Sequence, residues 1–106
     1  IMTEQTPLPV TVDRIIDEVA RTYGVTAEDI RGQRRSTQIS TARQVAMYVV
    51  REITGMTQLE IGQEFGGRDH STVVYALQQV TKAIQTDPRK KEVIEDIIKN
   101  IRNLNG

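Results

Sequence analysis

The chain has 106 residues, 38% hydrophobic and 26% charged, with 14 basic and 14 acidic side chains and no cysteine. That is enough chain for one domain with a single core, and the missing cysteine excludes a disulfide framework and any thiolate zinc site. Its apolar runs are far too short to span a bilayer, and the polar, proline-bearing stretch from Thr3 to Pro9 is no signal peptide, so a reducing, cytoplasmic setting is the expectation.

In chain order, residues 1–10 read as a linker remnant, because Pro7 and Pro9 exclude a helix until after Val10. Residues 11–106 read as the domain. Val12, Ile15, Ile16, Val19, Ala20 and Tyr23 recur at the spacing of one helix face, and Gly24 supplies the stop. Thr26 with Asp29 three residues later is a capping box that opens one short helix through Ile30. Gly32 to Ile39 is a polar, basic loop. Ser40 or Thr41 is the expected cap of a third helix, with Val45, Ala46, Val49, Val50 and Ile53 on its apolar stripe and Gly55 at its end. Thr57 and Glu60 form a second capping box, before a helix that carries Leu59, Ile61 and Phe65 and is broken by Gly66-Gly67. Asp69 caps the next helix, with Val73, Leu77, Val80 and Ile84 facing inward. Asp87-Pro88 opens the last one, a cap followed by proline at the first helical position, with Val93, Ile94, Ile97, Ile98, Ile101 and Leu104 on its stripe. The expected architecture is all-α: six helices around one core, with a helix-turn-helix.

Net charge is zero, yet its distribution is uneven. Residues 1–30 carry six acids and two bases, whereas residues 31–51 carry Arg31, Arg34, Arg35, Arg43 and Arg51 and no acid. A neutral protein can still present one positive face to phosphates, although a solvated arginine-rich surface without a partner would look the same on charge alone. Enzyme readings find little support. His70 is the only histidine and has no serine–acid or ligand spacing around it, and there is no phosphate loop or dinucleotide fingerprint. No catalytic residue and no metal site is therefore expected.

What remains is a helix over Gln58–Phe65, a tight turn at Gly66-Gly67-Arg68, and a helix from Asp69 onward. The second helix opens on Asp69, His70, Ser71 and Thr72, with Tyr75 one turn on. A recognition helix places its base-reading residues at that end: Asp69 can accept from the amino group of cytosine, and Ser71 and Thr72 can donate to base edges or touch a thymine methyl. A plain N-cap and a solvated first turn account for the same residue types equally well. Arginine near a helix start, as at Arg43, opposes the helix dipole and wants a reason.

Gly66-Gly67-Arg68-Asp69-His70-Ser71-Thr72-Val73-Val74-Tyr75-Ala76 closely resembles the signature of the C-terminal domain of the DnaA family of bacterial replication initiators. Arg34-Arg35-Ser36, Ala42-Arg43-Gln44-Val45-Ala46-Met47-Tyr48 and Leu59-Glu60-Ile61-Gly62 match the same pattern in the same order. The resemblance covers about residues 11–104. It implies a Trp-repressor-like helix-turn-helix that binds double-stranded DNA at boxes of the TTATNCACA type, as a monomer when isolated. It implies Arg35 in a minor groove, Asp69, His70 and Ser71 on bases, and Arg34, Arg43, Gln44, Arg51, Leu59, Arg68, Thr72 and Tyr75 along the phosphate backbone. The chain departs from many members at Gln33, where they carry lysine, and at Tyr75, where they carry histidine. No cofactor is expected here: the ATP-binding domain of the full-length family is missing, and Ile1 in the place of a start methionine points to an excised domain. Two rivals remain open: a helix-turn-helix transcriptional regulator, which would favour a palindromic site and dimerise, and a helical protein-interaction domain whose basic face meets an acidic partner.

Overall fold

In the computed structural model, which describes residues 11–105 (side chains for residues 11–103), the chain forms α1 (Val12–Tyr23), α2 (Ala27–Arg31), α3 (Thr37–Thr54), α4 (Gln58–Glu64), α5 (His70–Thr86) and α6 (Pro88–Asn105). No strand occurs among the described residues. The linker expected at residues 1–10 lies outside them.

Local chemistry sets most of the boundaries. Thr11 starts α1 by accepting from the Arg14 N–H, and both predicted capping boxes are complete, Thr26 with Asp29 and Thr57 with Glu60. Asp69 and Asp87 each accept a backbone N–H within the following first turn. Such caps satisfy donors that a helix start cannot satisfy by itself.

One boundary differs from expectation. Neither Ser40 nor Thr41 caps α3. Ser36 does so instead, accepting from the Ile39 N–H at 3.1 Å, and the helix begins at Thr37. The first turn, Thr37-Gln38-Ile39, holds a single apolar residue, so periodicity could not reveal it. Gln38 is anchored sideways, donating to the Tyr23 carbonyl at 2.5 Å. The basic loop is correspondingly short, running from Gly32 to Ser36.

α3 is the central helix and packs against all five others. Its Val45, Ala46, Val49 and Val50 meet Ile15, Ile16 and Val19 of α1, Val73, Ala76 and Val80 of α5, and Ile94, Ile97 and Ile101 of α6 in one buried cluster. Phe65, fully buried just past α4, fastens the helix-turn-helix to that core. Truncating a buried phenylalanine of this kind costs about 3–5 kcal/mol, so the turn is held by the same apolar burial that holds the domain.

Candidate nucleic-acid interface

The turn between α4 and α5 is built on two glycine requirements. Gly66 and Gly67 have φ of 84° and 78°, the left-handed region that side chains with a Cβ avoid. The chain then reverses tightly enough for the N–H groups of Gly67 and Arg68 both to donate to the Gly62 carbonyl, at 3.0 and 2.9 Å. Gly62, inside α4, is the second requirement: a Cβ there would lie 2.1 Å from the Arg68 carbonyl oxygen. The turn lies directly on the helix, and that fixes the angle at which α5 leaves.

α5 opens with four exposed polar residues, Asp69, His70, Ser71 and Thr72. Asp69 Oδ1 accepts from both the Thr72 N–H and the Ser71 hydroxyl, each at 3.0 Å; Oδ2 takes part in neither bond. The Thr72 N–H, followed by the Ser71 hydroxyl, holds the Asp69 carboxyl below its ordinary range, so it is an ionised acceptor at neutral pH. Tyr75, one turn on, is 56% exposed.

The basic loop is fixed by arginines directed inward. Arg43 is only 8% exposed, and its guanidinium donates to four backbone carbonyls: Nε to Ile30 at 2.7 Å, and Nη2 to Asp29, Gly32 and Arg34 at 2.8, 3.0 and 3.0 Å. The short helix α2, only 5 residues long, leaves its last carbonyls without intrahelical partners, and a cation is well placed at that negative end. Arg68, from the helix-turn-helix, donates to the Gly32 carbonyl at 2.5 Å and also to those of Phe65 and Arg31. Arg31 returns the tie by donating to the Glu64 carbonyl at 2.7 Å and pairing with Asp13. Burial, then repulsion from Arg68 and Arg35, pulls the Arg43 guanidinium below the ordinary arginine range. It stays a cation all the same, because that range starts so far above neutrality.

These elements enclose a concavity of about 350 Å³ lined by Gln33, Arg35, Ser40, Arg43, Gln44, Met47, Arg68, Thr72, Tyr75 and Ala76. It contains three arginines and no acid. Among the described residues, no group of three histidine, aspartate or glutamate side chains is placed to hold a metal ion.

The family model for the bacterial DnaA protein helix-turn-helix matches residues 12–80. The chain belongs to that family. It is 39% identical over 93 residues to the chromosomal replication initiator protein DnaA of Thermodesulfovibrio yellowstonii, and 41% identical over 96 residues to that of Symbiobacterium thermophilum. Those matches cover 88% and 91% of this chain but 21% of each relative, so the chain spans about a fifth of their length. A crystal structure of a DNA replication initiation factor is similar with a TM-score of 0.80 and 28% identity, over 90% of this chain and 29% of that one.

Against the roles that resemblance to DnaA implies, the structure brings Arg35, Gln44, Thr72 and Tyr75 to one concave surface, with Asp69, His70 and Ser71 on the exposed first turn of the same α5. Arg51 and exposed Leu59 stand apart, at the end of α3 and the start of α4, where Arg51 donates to the Met56 carbonyl at 2.6 Å. Arg34 does not lack an acid to pair with, as its loop composition had indicated: Asp29, from α2, approaches its guanidinium to 3.4 Å. Arg43 is also corrected. In place of a surface cation aimed at phosphate, it is a buried organiser of the loop. Arg68 is half-buried and similarly engaged. Composition alone missed the pinning role of Arg31 and the close approach at Gly62. A glycine within a helix was the available signal for the second.

Proposed function

We propose that this chain binds double-stranded DNA sequence-specifically as the origin-recognition domain of a replication initiator, reading the short asymmetric DnaA box of the TTATNCACA type. Membership of the DnaA helix-turn-helix family supports DNA binding, and both named relatives are chromosomal replication initiator proteins. The observation that carries the reading is the shared anchor of two probes. Arg43 holds the exposed Arg35 loop, Arg68 ties that loop to the glycine turn from which the polar first turn of α5 departs, and Arg31 bonds the end of α4 beside it.

Two probes on one scaffold suit one duplex. The first turn of α5 enters the major groove, where Asp69 accepts from a cytosine amino group and His70 and Ser71 address neighbouring base edges. Arg35 enters the adjacent minor groove, which attracts arginine where A/T pairs narrow it. Gln44, Thr72 and Tyr75 line the wall between them and hold the backbone; Arg51 and Leu59 hold it at the far end of α3. A monomer that grips both grooves reads an asymmetric site without a two-fold partner, and in this reading it needs no cofactor of its own.

Selection from a random duplex pool tests the proposal. The expected result is enrichment of a single asymmetric box with an A/T end and a cytosine-bearing end, bound one protein per site. Enrichment of a palindrome bound by a dimer would favour a transcriptional regulator instead, and no enrichment at all would refute sequence-specific binding.

A further inference from the structure

Arg43 and Arg68 carry two positive charges into the fold and present them to carbonyls, with no carboxylate among the described residues in direct contact. Their acceptors lie on both sides of the proposed interface. Arg43 gathers the carbonyls of Asp29, Ile30, Gly32 and Arg34, four along the path into the loop. Arg68 joins Gly32 to Phe65, and so joins the loop to the turn. The Gly32 carbonyl accepts from both guanidiniums and is the junction between them. The two backbones also run close together: a Cβ on Gly66 would lie 2.7 Å from the Arg31 carbonyl oxygen.

We infer that Arg43 is a positioning residue which, with Arg68, fixes the Arg34-Arg35 loop at a set offset from the first turn of α5, so that the two grooves are read as one coupled unit. The inference rests on the two-groove reading proposed above. Its physical content is pre-organisation. A loop free to sample many conformations would lose that freedom on binding, and the affinity gained from Arg35 would shrink accordingly. A loop whose own and neighbouring carbonyls are already held by two guanidiniums loses little. The fork of a guanidinium is essential to this, because its nitrogens lie in a fixed plane and serve several acceptors at once. A lysine ammonium supplies the same charge as a single point.

The fixed offset also has a consequence for the DNA. The distance along the duplex between the A/T step met by Arg35 and the cytosine met by Asp69 is set by the protein. Inserting one base pair between them moves the two targets about 3.4 Å apart along the axis and rotates them by roughly a tenth of a turn.

A double-mutant cycle read by fluorescence anisotropy tests the coupling, using wild type, Arg35→Ala, Arg43→Lys and the double variant on a matched box. In wild type, Arg35→Ala is expected to weaken binding about five- to 150-fold, the usual worth of a base contact. In the Arg43→Lys background the same change is expected to cost less than about twofold, the level at which independent sites are indistinguishable. The salt dependence of Arg43→Lys stays that of wild type, because the charge is kept, and its preference for cytosine opposite Asp69 survives. Losses that simply add, with Arg35→Ala as damaging in the Arg43→Lys background as in wild type, overturn the coupling and return Arg43 to an ordinary contact. Should Arg43→Lys fail to fold by circular dichroism, Arg68→Lys at the half-exposed end of the clamp takes its place with the same expected result. Wild-type protein without sequence-dependent binding overturns the two-groove reading, and the coupling with it; normal wild-type discrimination with additive losses overturns the coupling alone.

Discussion

The proposed reading gives Asp69 two functions, helix cap and base acceptor, that a single substitution can separate. Its Oδ1 is committed to the Thr72 N–H and the Ser71 hydroxyl, while Oδ2 is the acceptor available to a cytosine amino group. The substitution Asp69→Asn would keep the first function and reverse the second. The introduced amide oxygen takes over the bonds of Oδ1, and asparagine is as good an N-cap as aspartate, so the melting temperature should move by at most about 5 °C. At the position of Oδ2 there is then an amino group, a donor facing the donor of cytosine. The variant thus loses a base contact and gains a mismatch, which places the penalty in the upper part of the roughly five- to 150-fold range for one base. Anisotropy titrations on the matched box and on a box changed only at that cytosine measure it directly: the ratio between the two duplexes should collapse towards one. Equal weakening on both duplexes, with their ratio intact, would refute base reading by Asp69 and leave it a cap.

Four further outcomes follow from the same geometry. Arg35→Ala should weaken binding to the matched box while leaving the melting temperature unchanged, since an exposed loop side chain contributes little to folding; the loss should vanish on a box whose A/T end is replaced by G·C pairs, and a loss that persists there would remove Arg35 from the minor groove. Arg51→Ala should weaken all duplexes alike and reduce the slope of log affinity against log salt by about 0.9, the effect of one released counterion; an unchanged slope would place Arg51 away from DNA. Gly62→Ala offers a helix gain of about 1 kcal/mol, but its Cβ would meet the Arg68 carbonyl oxygen at 2.1 Å, and displacing that backbone costs about 1–3 kcal/mol; a net loss of stability and a larger loss of binding should appear, and a stabilised variant with normal binding would refute the close-approach argument. In acid, Asp69 and Glu60, both held below their ordinary values of 3.8 and 4.5 by the backbone N–H groups they cap, stabilise the fold fully above those values and lose that contribution as the pH falls through and below them; thermal melts should show the decline, with a shallower one in Asp69→Asn.

Much of this fold is legible in the sequence because its helix starts are marked by side chains that act locally. Thr26, Thr57, Asp69 and Asp87 each bond a backbone N–H a few residues on, and a local rule reads them. Ser36 obeys the same rule and was hidden only because Thr37 and Gln38 broke the apolar rhythm. The arginines were harder. Charge counting treats Arg35 and Arg43 alike, yet one is exposed and the other buried. The deciding signal was position: Arg43 lies four residues after Ile39 and three before Ala46, both on the buried face of α3. A cation there needs internal acceptors, and its short neighbour α2 has carbonyls to offer. The partners themselves, Gly32 and Arg34, lie 11 and nine residues away, beyond any local pattern.

The acid-free tract that first pointed to nucleic acid therefore acts less as a field than as a frame. Arg31 is taken up by Glu64 and Asp13, Arg34 leans on Asp29, Arg43 binds carbonyls, and Arg51 holds the Met56 carbonyl. Arg35 alone of the five makes no hydrogen bond or ion pair among the described residues. That division bears on how a neutral domain discriminates. Sequence-independent affinity grows with the number of phosphates that cations neutralise, and the 14 acidic side chains that balance this chain's 14 basic ones oppose it, so a weak hold on arbitrary duplex is the expected outcome. The two arginines turned into the fold, Arg43 and Arg68, are taken up by carbonyls and are not expected to add to that background. In the proposed reading they set the position of Arg35 and Asp69, whose contacts would form only where the bases match. Specificity is the ratio between those two affinities, and a fold that turns charge into geometry widens it from both sides.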